Sequence, residues 1–138
     1  IPKVFIPATD ECPTLSEIVR FAGEVGGILA YAYLGDVTAS VTGDKKAQKF
    51  EDDYLDELFE VIHHAGIRAV TYMPTRNTQT QIERLRKLCD QYEMLQISGE
   101  DINSPRQKFV IEKMKEEQFS NLIENTWHLI RHEAGEKE

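Results

Sequence analysis

Met94-Leu95-Gln96-Ile97-Ser98-Gly99-Glu100-Asp101-Ile102-Asn103-Ser104-Pro105-Arg106-Gln107 reads as a buried strand, a polar turn and the start of a helix. Met94, Leu95 and Ile97 supply the strand. Ser104 suits an N-cap, Pro105 suits the first helical position, and Gln107 completes a Ser-x-x-Gln capping box. Between strand and helix sit Glu100, Asp101 and Asn103, with Arg106 just beyond. Open α/β sheets and α/β barrels set their chemistry at this kind of strand-to-helix turn. The competing explanation is that Asp101 and Asn103 only shape a tight turn, which both residues do well.

Working outward, the same unit recurs. A helix, a stop, a hydrophobic strand and a polar turn fill residues 21–36, 61–77 and 88–103. In the first unit a Thr14-x-x-Glu17 capping box opens a helix carrying Leu15, Ile18, Val19, Ala22 and Val25 at helical spacing, and Gly26-Gly27 ends it. Residues 28–34 are nearly unbroken apolar and aromatic, as expected of a strand covered on both faces. Gly35-Asp36 breaks the run, and a long loop is expected over 35–50. The second helix spans about 51–65, with Leu55, Leu58, Phe59 and Ile62 as its buried stripe. Gly66 stops it, residues 67–73 form a strand, and Thr75-Arg76-Asn77 is the turn. A Thr78-x-x-Gln81 box opens a helix over about 79–92 that buries Ile82, Leu85, Leu88 and Cys89.

The ends of the chain add less. Residues 3–6 read as a short strand closed by Pro7, and residues 10–13 as a turn. After Ser104 the pattern predicts helix to about residue 117. A second helix then follows, with Phe119, Leu122, Ile123, Thr126, Trp127 and Ile130 on one face. The charged tail, 133–138, is expected to fray.

Units of this order and length are βαβ crossovers, which give a parallel sheet. All the polar turns then fall at one edge, the carboxyl ends of the strands. That edge gathers Tyr33 and Asp36, then Arg76 and Asn77, then Glu100, Asp101, Asn103 and Arg106. The fold class is therefore α/β, with parallel strands and flanking helices.

At 138 residues the chain is one domain's worth or a piece of a larger one, and its start without Met suggests a fragment. Sixteen basic against 24 acidic residues give a net charge of −8. This argues against nucleic acid or an anionic membrane as the main partner. No apolar run approaches the ~18 residues of a membrane span, and no signal peptide is present. Cys12 and Cys89 sit in unrelated settings and form neither a disulfide framework nor a CxxC site. Reduced thiols in a cytoplasmic protein are the simplest reading. Phosphate-binding loops, dinucleotide fingerprints and nucleophile elbows do not occur in the sequence.

Taken in order, Gly26-Gly27-Ile28-Leu29-Ala30-Tyr31-Ala32-Tyr33-Leu34, then Gly66-Ile67-Arg68-Ala69-Val70-Thr71-Tyr72, then Gly99-Glu100-Asp101-Ile102-Asn103 resemble the C-terminal half of a PHP domain (polymerase and histidinol phosphatase family). The likeness covers most of residues 1–110. It implies a (βα)7 barrel of TIM type, a cluster of divalent metals (manganese, zinc or iron) and hydrolysis of a phosphoester. Metal ions would polarise the phosphoryl oxygens and activate water, and arginine or lysine would stabilise charge on the transferring group. The family ends one strand in Ala-His-Pro and another in Gly-Ser-Asp-x-His. Here Tyr33 and Asn103 stand where those histidines would be, and Asp101 alone keeps its ligand type. Tyrosine is an infrequent ligand for zinc or manganese, and an asparagine carbonyl suits harder cations. The family's first ligands, a His-x-His, would belong to an N-terminal half outside this sequence.

The resemblance thus implies Asp101 and Asn103 as metal ligands, while their place at the strand-end edge offers Arg76, Arg106 and Tyr33 as groups for substrate or phosphate. Each has a plainer explanation. Arg76 could pair with Glu100 or Asp101; Arg106 could be solvated, although the helix dipole disfavours a cation in a first turn; Tyr33 and Tyr72 could be core. His63 and His64 close a helix, where cations are favoured. His128 and His132 have ligand spacing but no accompanying third ligand.

The expectations are these. Residues 1–110 form βα units of a PHP-like barrel and residues 111–138 a C-terminal helical segment. The parent is a metal-dependent phosphoesterase acting on a small phosphorylated molecule, and the isolated chain is inactive. Alternatively the barrel is non-catalytic and serves binding or assembly, or it holds an anionic ligand through Arg76 and Arg106. The open sheet edge must be covered by the missing half, by the C-terminal helices or by a second copy.

Overall fold

The computed structural model describes residues 12–36, 49–102 and 105–136. The strand expected at 3–6, most of the loop expected at 35–50, and Asn103 and Ser104 lie outside these residues. The elements in order are α1 (Leu15–Glu24), β1 (Ala30–Ala32), a 3-10 turn (Asp52–Tyr54), α2 (Leu55–Ala65), β2 (Ala69–Tyr72), α3 (Gln79–Gln91), β3 (Leu95–Ser98), 3-10 turns Glu112–Lys115 and Glu117–Phe119, and α4 (Ser120–Glu133). The three strands form one parallel sheet in the order β1-β2-β3. Ala69 stands between Ala30 and Leu95, and Thr71 between Ala32 and Ile97.

Local chemistry explains the boundaries. Thr14 and Thr78 cap α1 and α3 through complete capping boxes with Glu17 and Gln81. Gly66 ends α2 at φ 97°, a left-handed conformation open to glycine without strain.

Side chains alternate across a strand, so the register sorts the sheet into two faces. One face carries Tyr31, Val70 and Tyr72. It packs against Phe59 and Ile62 of α2 and Leu85 and Leu88 of α3 in a single core. Phe119 and Leu122 join that core from the C-terminal segment. The other face carries Ala30, Ala32, Ala69, Thr71, Leu95 and Ile97. Here Ala69 is buried, but Ala32 is exposed and the rest are half-buried. Covering on both faces was the expectation for residues 28–34, and the described residues leave Ala32 exposed. The cause is topological. The strand order advances in one direction, so α2 and α3 fall on the same side.

The helix expected from Ser104 to about 117 is replaced by turns and bends at 105–110 and the two 3-10 turns. Gln107 Nε2 turns back to the Asp101 carbonyl at 2.6 Å. Phe109 is 88% and Val110 57% exposed, so this stretch buries too little apolar surface to hold a helix. The expected stripe of α4 also rotates. Leu122 is buried, whereas Ile123, Trp127 and Ile130 are exposed. What faces the sheet instead is partly polar. Leu95 and Gly99 give their N–H groups inward to β2, so the Gln96 carbonyl points out at the sheet edge. Asn125 Nδ2 donates to that carbonyl at 2.7 Å, and Asn121 Nδ2 to the Gln96 side chain at 3.2 Å. Thus α4 lies along β3 and satisfies a backbone acceptor that an edge strand leaves open.

Candidate functional site

The parallel sheet brings the carboxyl ends of the strands to one edge, and the side chains there form two separate constellations. The first is at the end of β1. Glu51 is fully buried. Its Oε1 accepts the N–H of Leu34 at 2.5 Å and of Gly35 at 2.6 Å, and its Oε2 accepts the Tyr31 hydroxyl. Asp52 accepts the Tyr33 hydroxyl at 2.5 Å, Gln81 Nε2 at 2.7 Å and the Asp36 N–H at 3.0 Å. Asp36 returns the exchange, accepting the Phe50 N–H at 2.8 Å. Arg84 holds the Asp52 carbonyl at 2.6 Å and also pairs with Asp56. Gly35, at φ 71°, has no room for a Cβ, which would meet Gln81 Nε2 at 2.6 Å and the Tyr33 hydroxyl at 2.8 Å.

This network sets the ionisation of its members. Burial, and then the bond to Glu51, push the Tyr31 phenol well above its ordinary value. Burial and the bond to Asp52 do the same for Tyr33. Burial alone would raise Asp52, but the donors from Gln81, Tyr33 and Asp36 outweigh it and hold the carboxyl below the usual range.

Asn77 joins β1 to β2. Its Oδ1 accepts the Met73 N–H at 2.8 Å and its Nδ2 donates to the Leu34 carbonyl at 2.9 Å. Thr75 and Glu100 join β2 to β3 in the same way, the Glu100 carboxylate taking both the N–H and the hydroxyl of Thr75 at 2.7 and 2.6 Å. Gly99 lets β3 end close against Thr71, where a Cβ would lie 2.9 Å from its side chain.

The second constellation is a hollow of about 290 Å³ beyond β2 and β3, with Thr75, Glu100, Asp101, Ile102, Lys108 and Lys113 among its lining. Glu100 is engaged with Thr75, and Glu112, also in the lining, pairs with Lys115 at 2.6 Å. Asp101 is exposed.

The residues singled out from sequence divide accordingly. Asp101 stands in the wall of the hollow. Tyr33 is 1% exposed with its hydroxyl on Asp52, so it is a core residue, as is Tyr72. Arg76 is half-buried in the turn after β2, and its Nε is buried without a partner among the described residues. The pairing with Glu100 does not form, because Thr75 takes that carboxylate. Arg106 lies exposed in a turn and not in the first turn of a helix. Asn103 lies outside the described residues. His64 Nδ1 meets the Glu60 carbonyl and His132 Nε2 the Gly26 carbonyl, both at 2.8 Å, in structural roles.

Glu51 and Asp52 are what sequence reasoning missed. In the first turn of the helix read over 51–65, acidic residues are ordinary, because they suit its dipole. The only hint was a glutamate ahead of an apolar helix face that ends up completely enclosed.

A divalent cluster is not matched by these side chains. Among the described residues no group of three His, Cys, Asp or Glu is placed to hold a metal ion. The carboxylates of Glu51 and Asp52 each already accept three donors, and the Tyr33 oxygen is enclosed. Among the described residues no helix is long and apolar enough to cross a membrane. Comparison of the chain with family models, curated proteins and solved structures finds no match.

Proposed function

We propose that this chain is part of a PHP-like βα barrel that binds a small phosphorylated molecule at the carboxyl ends of its strands and does not by itself hydrolyse it. The observation that carries the reading is the hollow beyond β2 and β3, with Lys108 and Lys113 in its wall while Glu100 and Glu112 are engaged elsewhere. Lys108 and Lys113 offer two ammonium groups to a phosphate oxygen, in a wall that also holds the carboxylates of Glu100, Asp101 and Glu112. The barrel part of the reading is supported by the one-directional strand order and by the largely apolar uncovered face, which a barrel interior would enclose.

The test is a titration of the isotope-labelled chain with inorganic phosphate and with sugar phosphates, followed by amide shifts. Saturable shifts centred on Asp101, Ile102 and Lys113 are expected, with at least tenfold weaker binding after Lys113→Ala. Shifts that do not saturate would end the proposal.

A second reading is a metal-dependent phosphoesterase in which these units supply one ligand and a longer parent supplies the others. Asp101 favours it, since it matches a ligand of the resembled family and stands at the strand ends. Manganese, zinc or iron uptake by the parent, with phosphomonoester turnover lost in Asp101→Ala, is its expected signature. A parent that takes up no metal rules it out.

A further inference from the structure

At the end of β1 the chain has built a receptor for a negatively charged oxygen group. Leu34 and Gly35 aim consecutive backbone N–H groups at one point, and the Tyr31 hydroxyl comes in beside them. Successive N–H groups converging at a turn with a left-handed glycine form an anion-binding concavity. Gly35 has the required φ of 71°, and a Cβ there would meet Gln81 Nε2 at 2.6 Å and the Tyr33 hydroxyl at 2.8 Å, so the turn as built takes glycine. The group held there is fully buried, and among the described residues no lysine, arginine or histidine pairs with it. The donors alone stabilise it. Such donors would be costly to bury if left empty, because each loses its bonds to water.

We propose that Leu34 N–H, Gly35 N–H and the Tyr31 hydroxyl form a carboxylate-binding site whose resident ligand is the chain's own Glu51. A free carboxylate takes the site only when the Glu51 side chain leaves it. The contact is therefore self-occupying: the side chain and an outside ligand exclude one another. The site needs only Tyr31, Leu34, Gly35 and Glu51, so it stands whether or not the sheet belongs to a barrel.

The chemistry names its own probe. Glu51→Ala removes a carbon and the carboxyl group attached to it, which are the heavy atoms of acetate. Thermal unfolding would be followed for the wild-type chain, Glu51→Ala and Glu51→Ala with Tyr31→Phe. Each would be run in rising acetate at constant ionic strength, with chloride making up the balance. The Tm of Glu51→Ala is expected to rise with acetate beyond any rise in wild type, as binding to the folded state alone requires. The added Tyr31→Phe should shrink that rise. Trimethylacetate, too bulky for the vacated space, should not substitute for acetate. Should Glu51→Ala be unfolded in chloride, recovery of its helical circular dichroism in acetate supports the site, and failure to recover overturns it. Equal responses of wild type and variant to acetate, or equal effects of acetate and trimethylacetate, overturn it as well.

Discussion

Asp52 and Tyr33 share one hydrogen bond, yet they tie stability to pH from opposite ends. The Asp52 carboxyl lies below its ordinary value in the folded chain. Its contribution is complete above the unfolded value near 4 and is lost as pH falls through the lower folded value. Tyr33 is raised by burial and by that same bond. Its contribution is complete below about pH 10, the unfolded value, and is lost as pH rises beyond it. Thermal melts across pH should therefore show an acid limb that Asp52→Asn flattens and an alkaline limb that Tyr33→Phe flattens. An unchanged acid limb in Asp52→Asn would remove the carboxylate from this role. None of this was visible at the level of residue type. Tyr33 stands at a strand end, where pocket-lining and packing look alike in sequence. What decides between them is Asp52, a residue nineteen positions away across a stretch with no periodicity.

Two helices open on the same capping box, but they are not equally important to the whole. Helix α3 buries Ile82, Leu85, Leu88 and Cys89, whereas α1 buries no residue completely. Thr78→Ala should cost about 1 kcal/mol of global stability in urea unfolding. Thr14→Ala should instead increase amide exchange within α1 and leave the urea midpoint nearly unmoved, because α1 can fray while the core stays intact. The outer helix separates residues in the same way. Leu122→Ala should cost about 2–5 kcal/mol, and Trp127→Ala about 0.5 kcal/mol or less, since Trp127 is 57% exposed. The second figure is contrary to the apolar stripe read from sequence. That stripe was drawn on hydrophobicity alone, but α4 meets a sheet edge, where Asn121 and Asn125 are the residues with work to do. The helices α1, α2 and α3 and all three parallel strands were legible because caps, stops and apolar runs agree along residues 14–98. The stretch after 104 was not, because a serine, a proline and a glutamine suggest a helix start whose apolar face then has nothing to pack on.

At the scale of the molecule, Cys89 reports on global opening. It is completely buried, and burial, with Asp90 nearby, pushes its thiol up to about 12. Cys12 is exposed. A thiol reagent should modify Cys12 at once and Cys89 only through unfolding, so that in a Cys12→Ser variant the labelling rate tracks urea-derived stability. Rapid labelling of Cys89 in that variant would mean that the core opens locally. The parallel sheet itself emerged from a repeated unit in the sequence, since right-handed crossovers leave few alternatives. The strand-end hollow did not, because its walls come from residues 108–113, which no periodicity tied to Asp101.

Asp36 and Asp52 each accept the other's backbone N–H, at 3.4 and 3.0 Å, so the two ends of the span between them are pinned side by side. A staple of this kind makes the site a natural port for grafting. For a flexible peptide closed by this staple, each doubling of length costs about 0.6 kcal/mol. The chain could thus carry an added epitope or reporter there while its sheet keeps the same register.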